Sequence, residues 1–455
     1  MSLLAADIND AGVTVLSNDG VLYREPGFAL LDDAQLVTGV AAYKWARVKP
    51  RHIHDKFWSS LSVDALPDRR FRHLSSADLV SRQLEDLWRA VSDKGDRLVV
   101  AVPAYMSADK LGLFLGICNE LGVPVAALVD AAVASTRREY VNARLVHVDI
   151  SLHSTMLTRM AQPGRAQAEK SMLIEDSGLV ALHNAWIRSL AEAFVQQSRF
   201  DPLHTAETEQ LMLDRMPEWL LAASAGGAID IELEHGGLRH AAQIDALALI
   251  AEAAPVYQRI ISQLRALVRA DETPALQLSD RAAALPGLAD MLKARVGGEV
   301  YVLEAAATAR GLVGRCRDMA PNSQQVSLLR QLPWDQAATE VTIASEADRG
   351  GQPTHLLFEN TAYELTSQAL NLGSQAVAGE RWVDLASNIP GVSRRHCSLQ
   401  IENGQCVVRD FSRYGTFLNG HRLDGSAVLQ IGDVLRIGTP GYELRLITTD
   451  ASDGA

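Results

Sequence analysis

The chain has 455 residues, 47% of them hydrophobic, and carries a net charge of −12. That length allows two or three domains, and that apolar content excludes a wholly disordered chain. An acidic balance without a basic run argues against nucleic acid as a partner, and without a stretch of ~18 apolar residues no membrane insertion is expected. At the start, Met1-Ser2-Leu3-Leu4 runs directly into Ala5-Ala6-Asp7, without the basic segment and apolar core of an export signal, so a cytoplasmic location is expected. Cys118, Cys316, Cys397 and Cys406 are spaced for neither a disulfide framework nor a zinc site, and are read as reduced, buried thiols.

Taken in chain order, residues 1–320 alternate strand-like apolar runs with helical patterns, which implies an α/β sheet covered on both faces. Residues 98–103 predict a buried strand ending at Pro103. Residues 107–121 predict a helix with Ser107 as N-cap and Gly122 as its stop. Apolar runs at 123–129 and 145–150 predict two more strands. Residues 186–222 and 242–270 read as helical, with Pro255 marking a kink or a new helix start. Residues 346–353 are polar and rich in turn formers, which reads as linker. Short strand-like runs follow at 355–358, 406–409, 434–437 and 443–447, punctuated by Gly, Asn and Asp in the rhythm of a β-sandwich.

Val102-Pro103-Ala104-Tyr105 leads into a helix, then a strand, then Asp130 and the alanine-rich 131–134. With Leu36-Val37-Thr38-Gly39-Val40-Ala41-Ala42 upstream, this order resembles the ATPase domain of Hsp70 chaperones, over most of residues 1–318. The resemblance implies an α/β actin-like, two-lobed fold. It also implies three glycine-bearing turns that hold ATP and Mg²⁺, with Asp7, Lys56 and Asp149 at the positions that run hydrolysis. Phosphate-binding turns need glycine because side chains obstruct the approach of backbone N–H groups. Here the first turn reads Asp7-Ile8-Asn9-Asp10-Ala11-Gly12, with Asn9 at a glycine position and Asp10 adding charge where a phosphate would sit. The second reads Asp149-Ile150-Ser151-Leu152-His153-Ser154-Thr155, with all three glycines replaced. The third reads Leu278-Ser279-Asp280-Arg281, again without its glycine pair. Three losses point to poor or absent nucleotide binding, so neither a cofactor nor a catalytic residue is expected, and Asp7 and Asp149 are read as strand-end turn formers.

Near the end, Ser393-Arg394-Arg395-His396, then Asp410-Phe411-Ser412-Arg413-Tyr414-Gly415-Thr416-Phe417-Leu418-Asn419-Gly420, then Ile431-Gly432-Asp433 give the pattern S-x-x-H, D-x-S-x-x-G-T-x-x-N-G, G-D. This resembles the forkhead-associated (FHA) domain, an all-β sandwich that binds phosphothreonine peptides. The resemblance implies contacts from Ser374, which stands where the family has arginine, from Ser393, and from the Arg413-Tyr414 pair. Arg394 and Arg413 are candidates for the missing positive charge, or are solvated loop-tip cations. His396, Gly415, Thr416, Asn419 and Gly420 are expected to brace the loops.

The expected organisation is an actin-like body over 1–320, a linker over 321–352, an FHA sandwich over 353–449 and a tail over 450–455. The expected function is a non-enzymatic scaffold or adaptor, a pseudo-ATPase body joined to a module that binds a protein partner, threonine-phosphorylated or unmodified. By analogy the setting is bacterial Ser/Thr-kinase signalling or assembly of a multiprotein machine. The alternatives are an active Hsp70-type ATPase regulated through its FHA domain and a relative of the sugar kinases, which share the actin-like fold.

Overall fold

The computed structural model describes residues 2–32, 35–269, 272–316, 326–341, 352–358, 361–385, 391–419, 421–431, 433–438 and 442–447. The chain divides into two compact units, 1–341 and 342–455.

The first unit is built on two six-stranded sheets with one shared plan. In the N-terminal sheet, Leu3–Asp7, Val13–Ser17 and Gly20–Glu25 form an antiparallel meander. Arg97–Val102 and Val125–Asp130 continue it in parallel on the other side of Leu3–Asp7. In the second sheet, Arg144–Ile150, Ser154–Ala161 and Ala166–Glu175 form the meander. Pro274–Leu278 and Glu299–Val302 extend it in parallel beyond Arg144–Ile150. The parallel strands read as near-continuous apolar runs because both of their faces are covered.

Strand alternation sorts the first strands between layers. Leu4 and Ala6 pack with the helices Ser76–Val91 and Ala108–Glu120. Val146, Val148 and Ile150 pack with Leu179–Ser198, Ala206–Ala223 and Ala246–Leu267. Leu3, Ala5 and Leu145 face a third core cluster, shared by both sheets and by the helices Ala131–Ser135 and Ala307–Arg315. Ser107 caps its helix as predicted, accepting from the Lys110 amide at 3.4 Å.

Three expectations are corrected here. Residues 242–245, expected to begin a helix, instead end a strand of the hairpin Ala228–His235/Leu238–Asp245, turned by Gly236-Gly237. The helix that follows, Ala246–Leu267, runs through Pro255 without a break, held by one buried face that includes Leu249, Ala253, Val256, Tyr257 and Ile260. Part of the expected linker belongs to the first unit: Leu328–Leu329 pairs with Val125–Asp130, Gln331–Leu332 with Ala166–Glu175, and Thr339–Glu340 with Tyr140–Val141. Leu332 is 2% exposed and joins the core shared by the two sheets, which explains the docking of a segment too polar to read as structured. Residues 321–325 and 342–351 of that linker, Gly420, Gly432 and the 450–455 tail lie outside the described residues.

The second unit is a sandwich of two sheets. One runs Thr361–Glu364, His355–Phe358, Tyr442–Ile447, Val434–Ile437, Thr416–Leu418, His421–Arg422. The other runs Arg381–Asp384, Leu370–Gly373, Cys397–Glu402, Gln405–Asp410, Ser426–Leu429. Alternate residues of both sheets, among them Leu372, Leu399, Val408, Leu435 and Leu444, fill the core. All four cysteines are buried free thiols.

Candidate functional site

In the first unit the two sheets bring two acids to one place. Asp7 continues the alternation of Leu3 and Ala5, and Asp149 that of Leu145 and His147, so both carboxylates point into the layer between the sheets. Between them lies Arg281. Its Nη1 donates to Asp7 Oδ2 at 2.9 Å, and its Nη2 and Nε donate to Asp149 Oδ2 and Oδ1 at 2.8 and 3.2 Å. The side chains of Arg281, Asp7 and Asp149 are 8%, 3% and 10% exposed. Local structure fixes the arginine. The strand Pro274–Leu278 ends at Ser279, whose hydroxyl caps the short helix Asp280–Ala283 by accepting from the Ala282 amide at 3.2 Å. Arg281 therefore starts one residue into that helix and reaches back between the acids.

Two residues of the first turn close the arrangement. Asn9 Nδ2 donates to Asp149 Oδ2 and to the Ile150 carbonyl, both at 3.0 Å. Asp10 Oδ1 accepts from the Leu152 amide at 2.8 Å, while its Oδ2 is buried without a hydrogen-bond partner. Burial pushes the Asp10 carboxyl up to about 6. Burial likewise pushes Asp7 up to about 6, with Arg281 pulling the other way. At Asp149 burial is outweighed by the charge and hydrogen bonds of Arg281, which hold the carboxyl at about 2. Asp7 and Asp149 are thus buried counter-ions, which corrects their reading as turn formers. Lys56 has an exposed side chain, and among the described residues no hydrogen bond or ion pair joins it to either acid; its carbonyl accepts from the Ser60 amide at 2.8 Å. Among the described residues, no His, Cys, Asp and Glu cluster could hold a metal ion.

A cavity of about 20 Å³ borders Asn9, Tyr105, His147 and Asp149. A larger cleft of about 640 Å³ reaches Arg281 from another side, walled by Phe28, Tyr43, Leu152, Leu220 and Leu285.

In the second unit, three loops converge because a glycine permits it. A Cβ on Gly373 would lie 2.1 Å from the Arg394 carbonyl oxygen, closer than any side chain tolerates. The close approach lets the Ser374 amide donate to the Ser393 carbonyl at 3.2 Å and the Gln375 amide to the Arg394 carbonyl at 3.2 Å. The His396 amide donates to the Leu372 carbonyl at 2.7 Å. Ser393 Oγ then accepts from the Arg413 amide at 3.3 Å, which draws in the third loop. Ser374, Ser393, Arg394 and Arg413 are so gathered on adjoining loops, and Tyr414 stands exposed beside Arg413, whose guanidinium lies 5.8 Å from its ring centroid.

Beneath these loops lie the residues expected to brace them. His396 is fully buried; its Nδ1 accepts from the Ser393 amide at 3.1 Å and its Nε2 faces the Gly415 carbonyl at 3.3 Å, an arrangement that calls for the neutral, Nε2-protonated ring. Burial lowers its pKa, which favours the same neutral state. Asp410 accepts from the Ser412 amide at 3.0 Å and from the Thr416 amide and hydroxyl at 3.2 and 2.9 Å; burial opposes its ionisation, but these bonds hold the carboxyl below its ordinary value. Gly415 takes a φ of 93°, and its amide donates to Ser412 Oγ at 2.7 Å. Asn419 joins neighbouring turns, donating to Asp433 Oδ1 at 2.7 Å and accepting from the Val434 amide at 3.0 Å.

Residues 372–438 match the family model of the FHA domain. The chain carries an FHA domain. All three loops lie inside the match, so this part of the chain is a protein-interaction module of the kind that binds phosphothreonine-containing partners. No curated protein matches the chain. Among the described residues, no helix is long and apolar enough to cross a membrane.

Sequence reasoning missed Arg281 as the partner of both acids, because neither the distance in sequence nor the third-turn pattern signals it. It also passed over Arg395, Phe411 and Arg422 at the FHA loops. Arg395 and Phe411 lie within the quoted motif strings, and their adjacency in the sandwich was the missing information.

Proposed function

We propose that this chain is a non-enzymatic adaptor that docks a threonine-phosphorylated protein through its FHA domain. The observation that carries the reading is the convergence of the 374–375, 393–394 and 413–414 loops inside the matched segment. Ser393 keeps a hydroxyl hydrogen to donate to a phosphate oxygen while its lone pair takes the Arg413 amide. Arg394 and Arg413, on adjoining loops, supply the charge that Ser374 lacks, and guanidinium–phosphate contacts are among the stronger hydrogen bonds. Binding of matched phosphothreonine and threonine peptides to the full chain, compared in the wild type and in Ser393→Ala, tests this. A phosphate-dependent affinity that weakens in Ser393→Ala supports it; equal affinities for both peptides remove it.

For the body we propose an actin-like pseudo-ATPase. The repeated sheet plan and the acid at the end of each first strand support the likeness. Mg²⁺ and a triphosphate do not fit the residues present. A guanidinium occupies the space between the two carboxylates, the adjoining cavity is about 20 Å³, and Asp10 adds a buried acid. The 640 Å³ cleft is lined largely by apolar side chains, and the two arginines that reach it, Arg24 and Arg281, are already paired with Asp280 and with Asp7 and Asp149. The competing reading, an active ATPase, has in its favour the convergence of Asp7 and Asp149, but requires Arg281 to leave both.

A further inference from the structure

The FHA loops carry more positive charge than one phosphate needs. Arg394, Arg395, Arg413 and Arg422 are all exposed, and among the described residues none is in an ion pair. Their setting is specific. The Arg395 guanidinium lies 5.3 Å from the ring centroid of Phe411, which is 53% exposed. Arg413 is similarly backed by Tyr414, 59% exposed. Arg422 lies over Gly415, its Nε 2.5 Å from where a Cβ on that residue would stand. The nearby carboxylate of Asp410 is engaged by Ser412 and Thr416. Aromatic backing holds a guanidinium in place while leaving its N–H edges for a ligand. In a chain of net charge −12, these four arginines, three on the loops and Arg422 on the strand His421–Arg422 with its side chain over Gly415, and none in an ion pair among the described residues, form a local basic patch.

We infer that the partner of this FHA domain is an acidic segment, in which Asp or Glu residues flank the phosphothreonine and engage Arg395 and Arg422. The inference rests on the phosphothreonine reading above and deepens it: Ser393, Arg394 and Arg413 take the phosphate, and Arg395 and Arg422 take the flanking carboxylates. Complementary charge of this kind raises the encounter rate and rejects basic partners. Because the contacts are exposed, each adds modestly and is screened by salt.

Three peptides titrated into the full chain test this by fluorescence anisotropy: a phosphothreonine with Asp/Glu flanks, the same phosphothreonine with Ala/Gln flanks, and the acidic peptide with unmodified threonine. The acidic phosphopeptide is expected to bind about tenfold tighter than its neutral-flank counterpart at low salt, with the advantage shrinking as salt is raised. Arg395→Gln and Arg422→Gln are expected to reduce that advantage and to leave the neutral-flank phosphopeptide unchanged. If the two phosphopeptides bind equally, the acidic-partner inference fails and the phosphothreonine reading stands. If the acidic peptide binds equally with and without phosphate, the phosphothreonine reading fails and this inference with it.

Discussion

Replacing Arg281 with methionine should destabilise the first unit by an amount that the geometry sets. The substitution keeps most of the side-chain volume and removes three hydrogen bonds and, among the described residues, the cation that forms ion pairs with both Asp7 and Asp149. Removing one partner of a buried ion pair costs ~3–5 kcal/mol, because a desolvated charge is left behind. The depressed pKa of Asp149, about 2 against an ordinary 3.8, follows from the same contacts and corresponds to ~2 kcal/mol in favour of the ionised form. A carboxyl whose folded pKa is depressed contributes stability above its unfolded pKa and loses it as pH falls through the folded value. The deficit of Arg281→Met should therefore be full near neutral pH and shrink as pH drops from about 4 toward 2. Urea unfolding followed by tryptophan fluorescence reads it, since Trp58, Trp186 and Trp219 are 1%, 0% and 2% exposed in this unit. Adding Asp149→Asn to Arg281→Met should recover part of the loss. A deficit below ~1 kcal/mol, or strictly additive losses in the double variant, would refute the buried clamp.

Asp10 offers the opposite sign. Its folded pKa is raised to about 6, so its ionisation costs native-state stability as pH rises from about 4 to about 6. Asp10→Asn keeps an acceptor for the Leu152 amide and should stabilise the protein by ~1–3 kcal/mol at pH 8, with the gain vanishing below pH ~4; a gain that is equal at both pH values would contradict the buried-acid account. Gly373→Ala should push the 373–375 and 393–395 backbones apart at a cost of ~1–3 kcal/mol. Hydrogen exchange should quicken at the Ser374 and His396 amides and phosphopeptide affinity should fall; unchanged exchange at both amides would show that the close approach is not required.

Much of the β-architecture was legible because it rests on local signals. Runs at 98–103 and 145–150 read as strands from their apolar continuity, and the structure places Arg97–Val102 and Arg144–Ile150 there. The strands 355–358 and 434–437 were read to the residue. The bracing of the FHA loops followed the motif, with His396, Gly415, Thr416 and Asn419 all engaged in the hydrogen bonds that bind one loop to the next. The misreadings came where tertiary context overrides local propensity. Pro255 is tolerated inside a helix whose packing face is continuous, and Leu332 ties a polar segment to the core. The hairpin at 228–245 had its signal in Gly236-Gly237, flanked by alternating residues, but the apolar spacing that continues into the next helix masked it. Arg281 was beyond reach for a different reason: its two partners lie 274 and 132 residues away, and only the folding of two sheets onto one layer makes them neighbours.

The adaptor account stands or falls on whether the body works with nucleotide. Titration calorimetry of the full chain with ATP and Mg²⁺ should give no saturable heat and no phosphate release, because Arg281 fills the gap between Asp7 and Asp149. Saturable micromolar binding with turnover, lost in Asp149→Ala, would contradict it.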